Sequence, residues 1–168
     1  MKRILTLLCL IAALFGSGRS FAQGSDCKAA GDIFLKAGDP DRAIIEYERA
    51  LSGDPRSTAI YFDLAIAYYM RKDVDETIRV LRALVLLDPA DAEALYNLGC
   101  LMLYKEDLKS AKAYFWKASR LGGVHAEFVP FARNGLRFVR ETERLDPPDR
   151  RAVCCFLLQS LPSISQNS

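Results

Sequence analysis

The chain of 168 residues has one histidine, one tryptophan and no apolar run of the roughly 18 residues that a bilayer span needs. The single histidine, His125, excludes metal sites that depend on two imidazole ligands. An excess of one charge is also lacking, because 23 Lys and Arg residues are balanced by 21 Asp and Glu residues. A dedicated nucleic-acid binder usually carries a basic excess, so we expect no nucleic-acid partner. With 51% apolar residues, the composition predicts a small soluble globular domain.

The first 22 residues have the three-part pattern of a secretory signal peptide. Lys2 and Arg3 precede an apolar run over residues 4–15, and a small, polar stretch then leads to Ala22. We therefore predict a signal peptide over residues 1–22, cleavage after Ala22 and export of a mature chain without an integral membrane span. The periplasm of a Gram-negative bacterium is the predicted location, and secretion from another kind of cell stays open.

Reactive side chains are few in the predicted mature chain. Four cysteines remain there: Cys27, Cys100 and the adjacent pair Cys154 and Cys155. The adjacent pair lacks metal-site spacing, and we interpret these cysteines as small apolar residues or as halves of structural disulfides. A redox or metal-binding pair at Cys154 and Cys155 is the alternative. No phosphate-binding glycine loop is present. We predict no catalytic residue, no metal site and no cofactor.

A repeat of 34 residues organises the middle of the chain. Three blocks follow one another without gaps over residues 24–57, 58–91 and 92–125, and apolar residues recur at helical spacing within each. The eighth residues of the blocks are Gly31, Ala65 and Gly99, and the twenty-fourth are Tyr47, Leu81 and Phe115. We interpret the small eighth residues as points where two helices approach closely. The turn before the second half of the first block predicts a helix that is capped by Asp39 and starts at Pro40.

These positions resemble the tetratricopeptide repeat, a family whose pattern combines Leu-Gly, aromatic and small residues at fixed places. The third block matches best, at Leu95, Leu98, Gly99, Met102, Ala111, Phe115 and Ala118. The resemblance implies an all-α fold, a right-handed solenoid of three helical hairpins, each covering the apolar face of the next. It also implies a concave groove lined by the first helix of each hairpin.

The end of such a stack needs a capping element, which we place at residues 126–146. Four arginines recur there at spacings of four, three and four, which puts them on one helical face. They are Arg133, Arg137, Arg140 and Arg144. One interpretation is a face that binds an anion, and the other is a solvated face neutralised in part by Glu141 and Glu143. Residues 147–168 are predicted to be a C-terminal segment with a disordered tail, which either packs on the cap or completes a second copy in a homo-oligomer.

Candidate groove residues follow from the phase of the repeat. They are Lys28, Asp32 and Leu35 in the first block, Phe62, Ile66 and Tyr69 in the second, and Tyr96, Cys100 and Leu103 in the third. The family's known binding of a terminal carboxylate is not expected here, because Asp32 and Asp63 occupy positions at which that binding uses asparagines. The groove is instead apolar and aromatic, which suits an amphipathic helix or an extended peptide. In the alternative interpretation, residues 146–168 cover it.

The sequence as a whole predicts a non-enzymatic interaction module that binds a protein or peptide partner, as a scaffold or assembly factor does. Two alternatives stay open. One is a thiol-dependent redox or metal protein centred on Cys154 and Cys155. The other is a structural protein that assembles with further copies of itself.

Overall fold

A computed structural model describes residues 24–121, 127–146 and 149, and within these ranges all regular structure is helical. The predicted leader, His125 and the segment from residue 150 onward lie outside the described residues. The described part of α1 covers residues 24–36. It is followed by α2 (Pro40–Gly53), α3 (Thr58–Met70), α4 (Val74–Leu87), α5 (Ala92–Tyr104), α6 (Leu108–Ala118) and α7 (Val129–Thr142). No helix in this part of the chain is both long and apolar enough to cross a bilayer.

The turn inside each hairpin repeats with the period of the sequence. A residue with positive φ stands at the same place in all three turns: Gly38 at 75°, Lys72 at 65° and Glu106 at 60°. Only the first turn uses glycine, the residue that adopts this conformation without a steric cost. The residue that follows each of them caps the next helix by accepting a backbone N–H bond, at Asp39, Asp73 and Asp107. The prediction that Asp39 caps a helix starting at Pro40 is confirmed.

Hydrogen bonds at these caps stabilise the ionised carboxylates. The backbone amide of Arg42 donates to Asp39 over 3.1 Å, and that of Glu76 donates to Asp73 over 3.2 Å. These bonds lower the pKa of both aspartates, and their side-chain bonds to Arg42 and Arg71 lower it further. Each second helix of a hairpin therefore begins with a negative charge at the positive end of its dipole.

Glycine and an aromatic ring define the contact inside two of the three hairpins. A Cβ atom built at Gly31 would lie 2.6 Å from the ring of Tyr47, and one built at Gly99 would lie 2.6 Å from the ring of Phe115. The equivalent Ala65 is buried as well. The eighth residues thus occupy equivalent environments, as the sequence pattern predicts, and their small size lets the two helices of a hairpin approach closely.

Helix α7 packs against α5 and α6 and continues the stack in register. One position of the repeat recurs every 34 residues in the first helices, at Ile33, Ala67, Leu101 and Gly135. Ala67 and Leu101 are fully buried, whereas Ile33, with no described hairpin before it, is 66% exposed. A Cβ atom at Gly135 would lie 2.8 Å from the ring of Phe115. Phe115 is therefore held between Gly99 of its own hairpin and Gly135 of the helix that follows.

The outer side of α7 differs from the first helices of the three hairpins. Its residue in the eighth place is Arg133, which is exposed, whereas Gly31, Ala65 and Gly99 are buried there. A long charged side chain at this place keeps a second helix from packing closely against α7. The pattern therefore favours a helix that ends the stack over one that begins another hairpin.

Candidate functional site

The first helices α1, α3, α5 and α7 share one side of the stack, which we call the first-helix face. The nine candidate residues predicted from the repeat phase are distributed along it, three on each of α1, α3 and α5. They differ in burial along the stack: Lys28, Asp32, Leu35, Phe62 and Tyr69 are half-buried, whereas Ile66, Tyr96, Cys100 and Leu103 are buried. The apolar, aromatic groove that the sequence predicts is therefore more deeply buried at its third block than at its first.

Aromatic side chains at the start of α7 contribute to the burial of Tyr96. The ring of Tyr96 lies 6.3 Å from that of Phe128 and 6.1 Å from that of Phe131, measured between ring centroids. On its other side, Tyr96 packs against Phe115 with the ring centroids 5.7 Å apart. Tilted ring pairs at these separations are favourable beyond the area that they bury. Tyr96 is thus part of the contact that holds α7 on the stack, as well as a wall of the face.

A cavity of about 290 Å³ remains between α5 and α7, and we call it the α5–α7 cavity. Its lining is mostly apolar and aromatic, with polar groups at the rim. The lining residues are Tyr96, Cys100, Leu103, Phe115, Phe131, Asn134, Gly135, Arg137, Phe138 and Glu141. The volume is at the lower end of the range for small-molecule sites, about 300–1,000 Å³. It fits one large apolar side chain of a partner better than a whole cofactor.

The thiol of Cys100 gives this cavity a neutral wall. Burial raises the pKa of Cys100 to about 12, and a hydrogen bond with Tyr96 opposes part of the rise. At neutral pH the group is therefore a protonated thiol, which is neither a strong nucleophile nor a good metal ligand. Cys27 and Cys100, the cysteines within the described ranges, are both free. No group of three His, Cys, Asp or Glu residues in those ranges is arranged to hold a metal ion.

A charged cluster occupies the other end of the face, between α1 and α3. The ammonium group of Lys28 donates to Asp32 over 3.0 Å and lies 2.8 Å from a carboxylate oxygen of Asp63. The hydroxyl of Tyr47 donates to Asp32 over 2.9 Å. We call these four residues the Lys28 cluster. One cation is shared by two carboxylates, so the cluster carries one net negative charge at neutral pH.

Burial and ion pairing both shift the pKa values of Lys28 and Asp63. Burial tends to lower the pKa of Lys28, but its hydrogen bonds with Asp63 and Asp32 outweigh that tendency and raise it. Burial raises the pKa of Asp63, Lys28 lowers it in part, and the nearby charge of Asp32 raises it again. The net shift of Asp63 is upward. The upward shift of Asp63 comes mainly from burial, which the bond and the charge of Lys28 do not fully offset.

Half-buried apolar residues of α3 connect the two ends. Phe62 and Tyr69 pack against the core and keep part of their surface exposed. Burial raises the pKa of Tyr69, and Cys100 adds to the rise. The face is thus charged at α1–α3, apolar along α3 and hollow at α5–α7.

The four arginines predicted to share a face of α7 are all exposed. Among the described residues, Arg137 alone of the four has an ion pair, a long one of 3.9 Å to Glu141. Glu143 accepts from Lys112 over 3.1 Å. The binding of an anion to this face stays a prediction.

Sequence reasoning missed the α7 side of the cavity, namely Phe131, Asn134, Gly135 and Phe138. The missed signal was the 34-residue phase, which continues from Leu101 to Gly135. It is obscured because Arg133 replaces the small residue of the eighth place. The phase indicates which side of α7 packs on the stack, but the distance between α7 and α5 decides whether a cavity remains.

A row of helical hairpins in a 34-residue register, with the first helices on one shared face, defines an α-solenoid repeat protein. The sequence patterns of the tetratricopeptide repeat match residues 34–99 and 92–121. The chain belongs to the tetratricopeptide repeat family. No curated protein matches it in sequence.

Several solved structures are similar in fold to this chain. The first TPR of Spaghetti (RPAP3) bound to the HSP90 peptide SRMEEVD superposes with a TM-score of 0.62 at 21% identity, covering 74% of this chain and 96% of that one. PcrH in complex with the chaperone binding region of PopD gives 0.64 at 17% identity, covering 71% and 92%. The Yersinia enterocolitica type III secretion chaperone SycD with a peptide of the translocator YopD gives 0.64 at 13% identity, covering 71% and 94%. At these identities the likeness concerns the fold, an all-α tetratricopeptide repeat array.

Proposed function

We propose that this protein is a non-enzymatic interaction module that binds a peptide segment of a partner protein along its first-helix face. The observation that carries the proposal is the α5–α7 cavity, an apolar hollow next to half-buried aromatic residues. A hollow of this size with an uncharged wall can anchor one side chain, and the adjoining face offers contact area for the residues beside it. The three similar structures named above each contain a bound peptide or binding region, which supports this use of the fold.

A test of this proposal needs a variant that closes the cavity without disturbing the core. Truncation of Tyr96 is unsuitable, because this residue also holds α7 in place. Asn134 is exposed and lies at the rim, so Asn134→Trp is expected to fill the entrance at little cost in stability. The neighbouring Arg133, exposed and absent from the lining, offers the matched control Arg133→Trp.

We expect Asn134→Trp to weaken binding of partner segments at least about tenfold, the equivalent of 1.4 kcal/mol, because the anchoring side chain is excluded. Arg133→Trp should leave binding within about twofold. The measurement is the dissociation constant of peptides recovered on the wild-type chain, with helicity compared by circular dichroism. Equal binding by both variants would place the partner elsewhere and contradict the use of the cavity.

We further propose that the module acts outside the cytoplasm, in the periplasm of a Gram-negative bacterium. The proposal rests on the signal-peptide pattern of residues 1–22. After expression of the full chain in such a host, the intact mass of the periplasmic product is expected to correspond to a chain that begins at Gln23. An uncut chain retained in the cytoplasm would contradict both the cleavage site and the location.

A further inference from the structure

The proposed binding face has different chemistry at its two ends, and this difference restricts the partner. At one end, the α5–α7 cavity presents aromatic rings, Gly135 and an uncharged thiol, with Arg137 and Glu141 at its rim. At the other end, the Lys28 cluster holds two carboxylates and one ammonium group. These ends lie on the same side of the stack, so a single segment can contact both.

Asp63 is the carboxylate of the cluster with spare capacity for a ligand. Asp32 accepts from both Lys28 and Tyr47. Within the described chain, the one ion pair of Asp63 is its 2.8 Å contact with Lys28, and 25% of its side chain is exposed. A carboxylate has about four lone-pair sites, so oxygen acceptors on Asp63 remain available to a donor from outside.

The sign of the ligand charge follows from this arrangement. A partner carboxylate would meet two like charges in a half-buried setting, where their repulsion is poorly screened. A lysine or arginine would bring the cluster to neutrality and donate to Asp63 in a charge-assisted hydrogen bond. Charge complementarity therefore favours a basic group at this end of the face.

The distance between the two ends sets the spacing in the partner. Helices α3 and α5 both pack against α4, and packed helices lie about 8–10 Å apart, so the path from α3 to the middle of the α5–α7 cavity is about 12–15 Å. An extended chain advances about 3.3–3.6 Å per residue, so about four residues cover that path. Tyr96, Cys100 and Leu103 in the wall of the cavity are buried, so the cavity admits one side chain and is not an open trough. This shape suits an extended segment better than a helix.

We propose that the first-helix face binds an extended peptide that sets a lysine or arginine against Asp63 and, about four residues away, one large apolar side chain in the α5–α7 cavity. The inference rests on the function proposed above and specifies its ligand. It differs from that function in naming the charge and the spacing, which are tested separately.

The experiment is a selection of random 12-residue peptides displayed on phage, carried out on the immobilised wild-type chain. The Asn134→Trp variant serves in parallel to identify sequences that depend on the cavity. We expect cavity-dependent sequences to share one Phe, Leu, Met or Trp and a Lys or Arg three to five residues from it. Synthetic peptides of the strongest sequences then give dissociation constants by fluorescence anisotropy.

Variants of the acidic residues identify the carboxylate that binds the basic group of the peptide. Asp63→Asn removes the charge and keeps an oxygen within reach of Lys28, so we expect a loss of about five- to tenfold in affinity for the basic peptides. A peptide with Ala in place of the Lys or Arg should bind the wild-type chain more weakly than the basic peptide by the same factor. The two peptides should bind Asp63→Asn with equal affinity. Asp75→Asn removes an exposed carboxylate that pairs with Lys105 and serves as the control for net charge.

Three outcomes are distinguishable. A basic and apolar pattern whose basic preference disappears in Asp63→Asn supports the inference. Cavity-dependent sequences with an apolar anchor but no basic preference, or with an acidic one, overturn the inference and leave the proposed function standing. The absence of any sequence that distinguishes the wild type from Asn134→Trp overturns both.

Discussion

Replacing Phe115 with alanine is expected to lower the free energy of unfolding by about 3–5 kcal/mol. The ring is 1% exposed and is held between Gly99 and Gly135, with Tyr96 packed against its edge. Three helices therefore lose a shared contact, and neither glycine can supply atoms to fill the space. The measurement is urea denaturation followed by circular dichroism.

The next residue in the chain provides the control for this prediction. Trp116 is also a large aromatic residue of α6, but it is 53% exposed and contacts Arg120 through its ring. Trp116→Ala is expected to lower the free energy of unfolding by at most about 1 kcal/mol, because it removes little more than an exposed cation–π contact. Comparable losses in the two variants would contradict the position of Phe115 at the junction of α5, α6 and α7.

Gly99→Leu is expected to destabilise the fold by about 3 kcal/mol, in spite of a better intrinsic helix propensity. In an uncrowded helix the same change would stabilise by somewhat less than about 1 kcal/mol, so the sign of the effect is informative. The Cβ atom alone would lie 2.6 Å from the Phe115 ring, and Gly135 on the far side of the ring prevents it from moving away. Urea denaturation measures the loss, with Ala113→Leu on the exposed side of α6 as the control for added bulk.

A double variant tests the mechanism of this second prediction. If crowding against the ring causes the loss, then Gly99→Leu combined with Phe115→Ala should cost at least about 1 kcal/mol less than the sum of the single effects. Leucine then occupies part of the space that the ring leaves. Strict additivity would show that the two positions are not in contact.

Much of the architecture could be predicted because it is encoded locally and repeated. The cap at Asp39, the proline that follows it and the small residues at Gly31 and Gly99 are all readable from spacing. Each determines a contact within one hairpin, between residues at most 16 positions apart in the sequence. A periodic signal of this kind also predicts which helices share a face, because the same register recurs three times.

The candidate site was predicted less completely. Of the nine candidate residues, Tyr96, Cys100 and Leu103 line the α5–α7 cavity, and Lys28 and Asp32 belong to the cluster at the other end. Repeat phase indicates the side of a helix but not how deeply a later helix buries it. The expectation of an apolar, aromatic groove therefore did not include the packing of Phe128 and Phe131 against Tyr96.

The amino-acid sequence alone determined the helical class, the register of the hairpins and the face on which the first helices present their side chains, because these depend on short-range periodicity. Only the tertiary structure decided where that face is hollow and where it is charged. The cavity exists because α7 approaches α5 closely enough to enclose space but not to fill it. The Lys28 cluster has a net negative charge because α1 and α3 bring two carboxylates to one ammonium group. Both are distances between separate elements, which no spacing along the chain specifies.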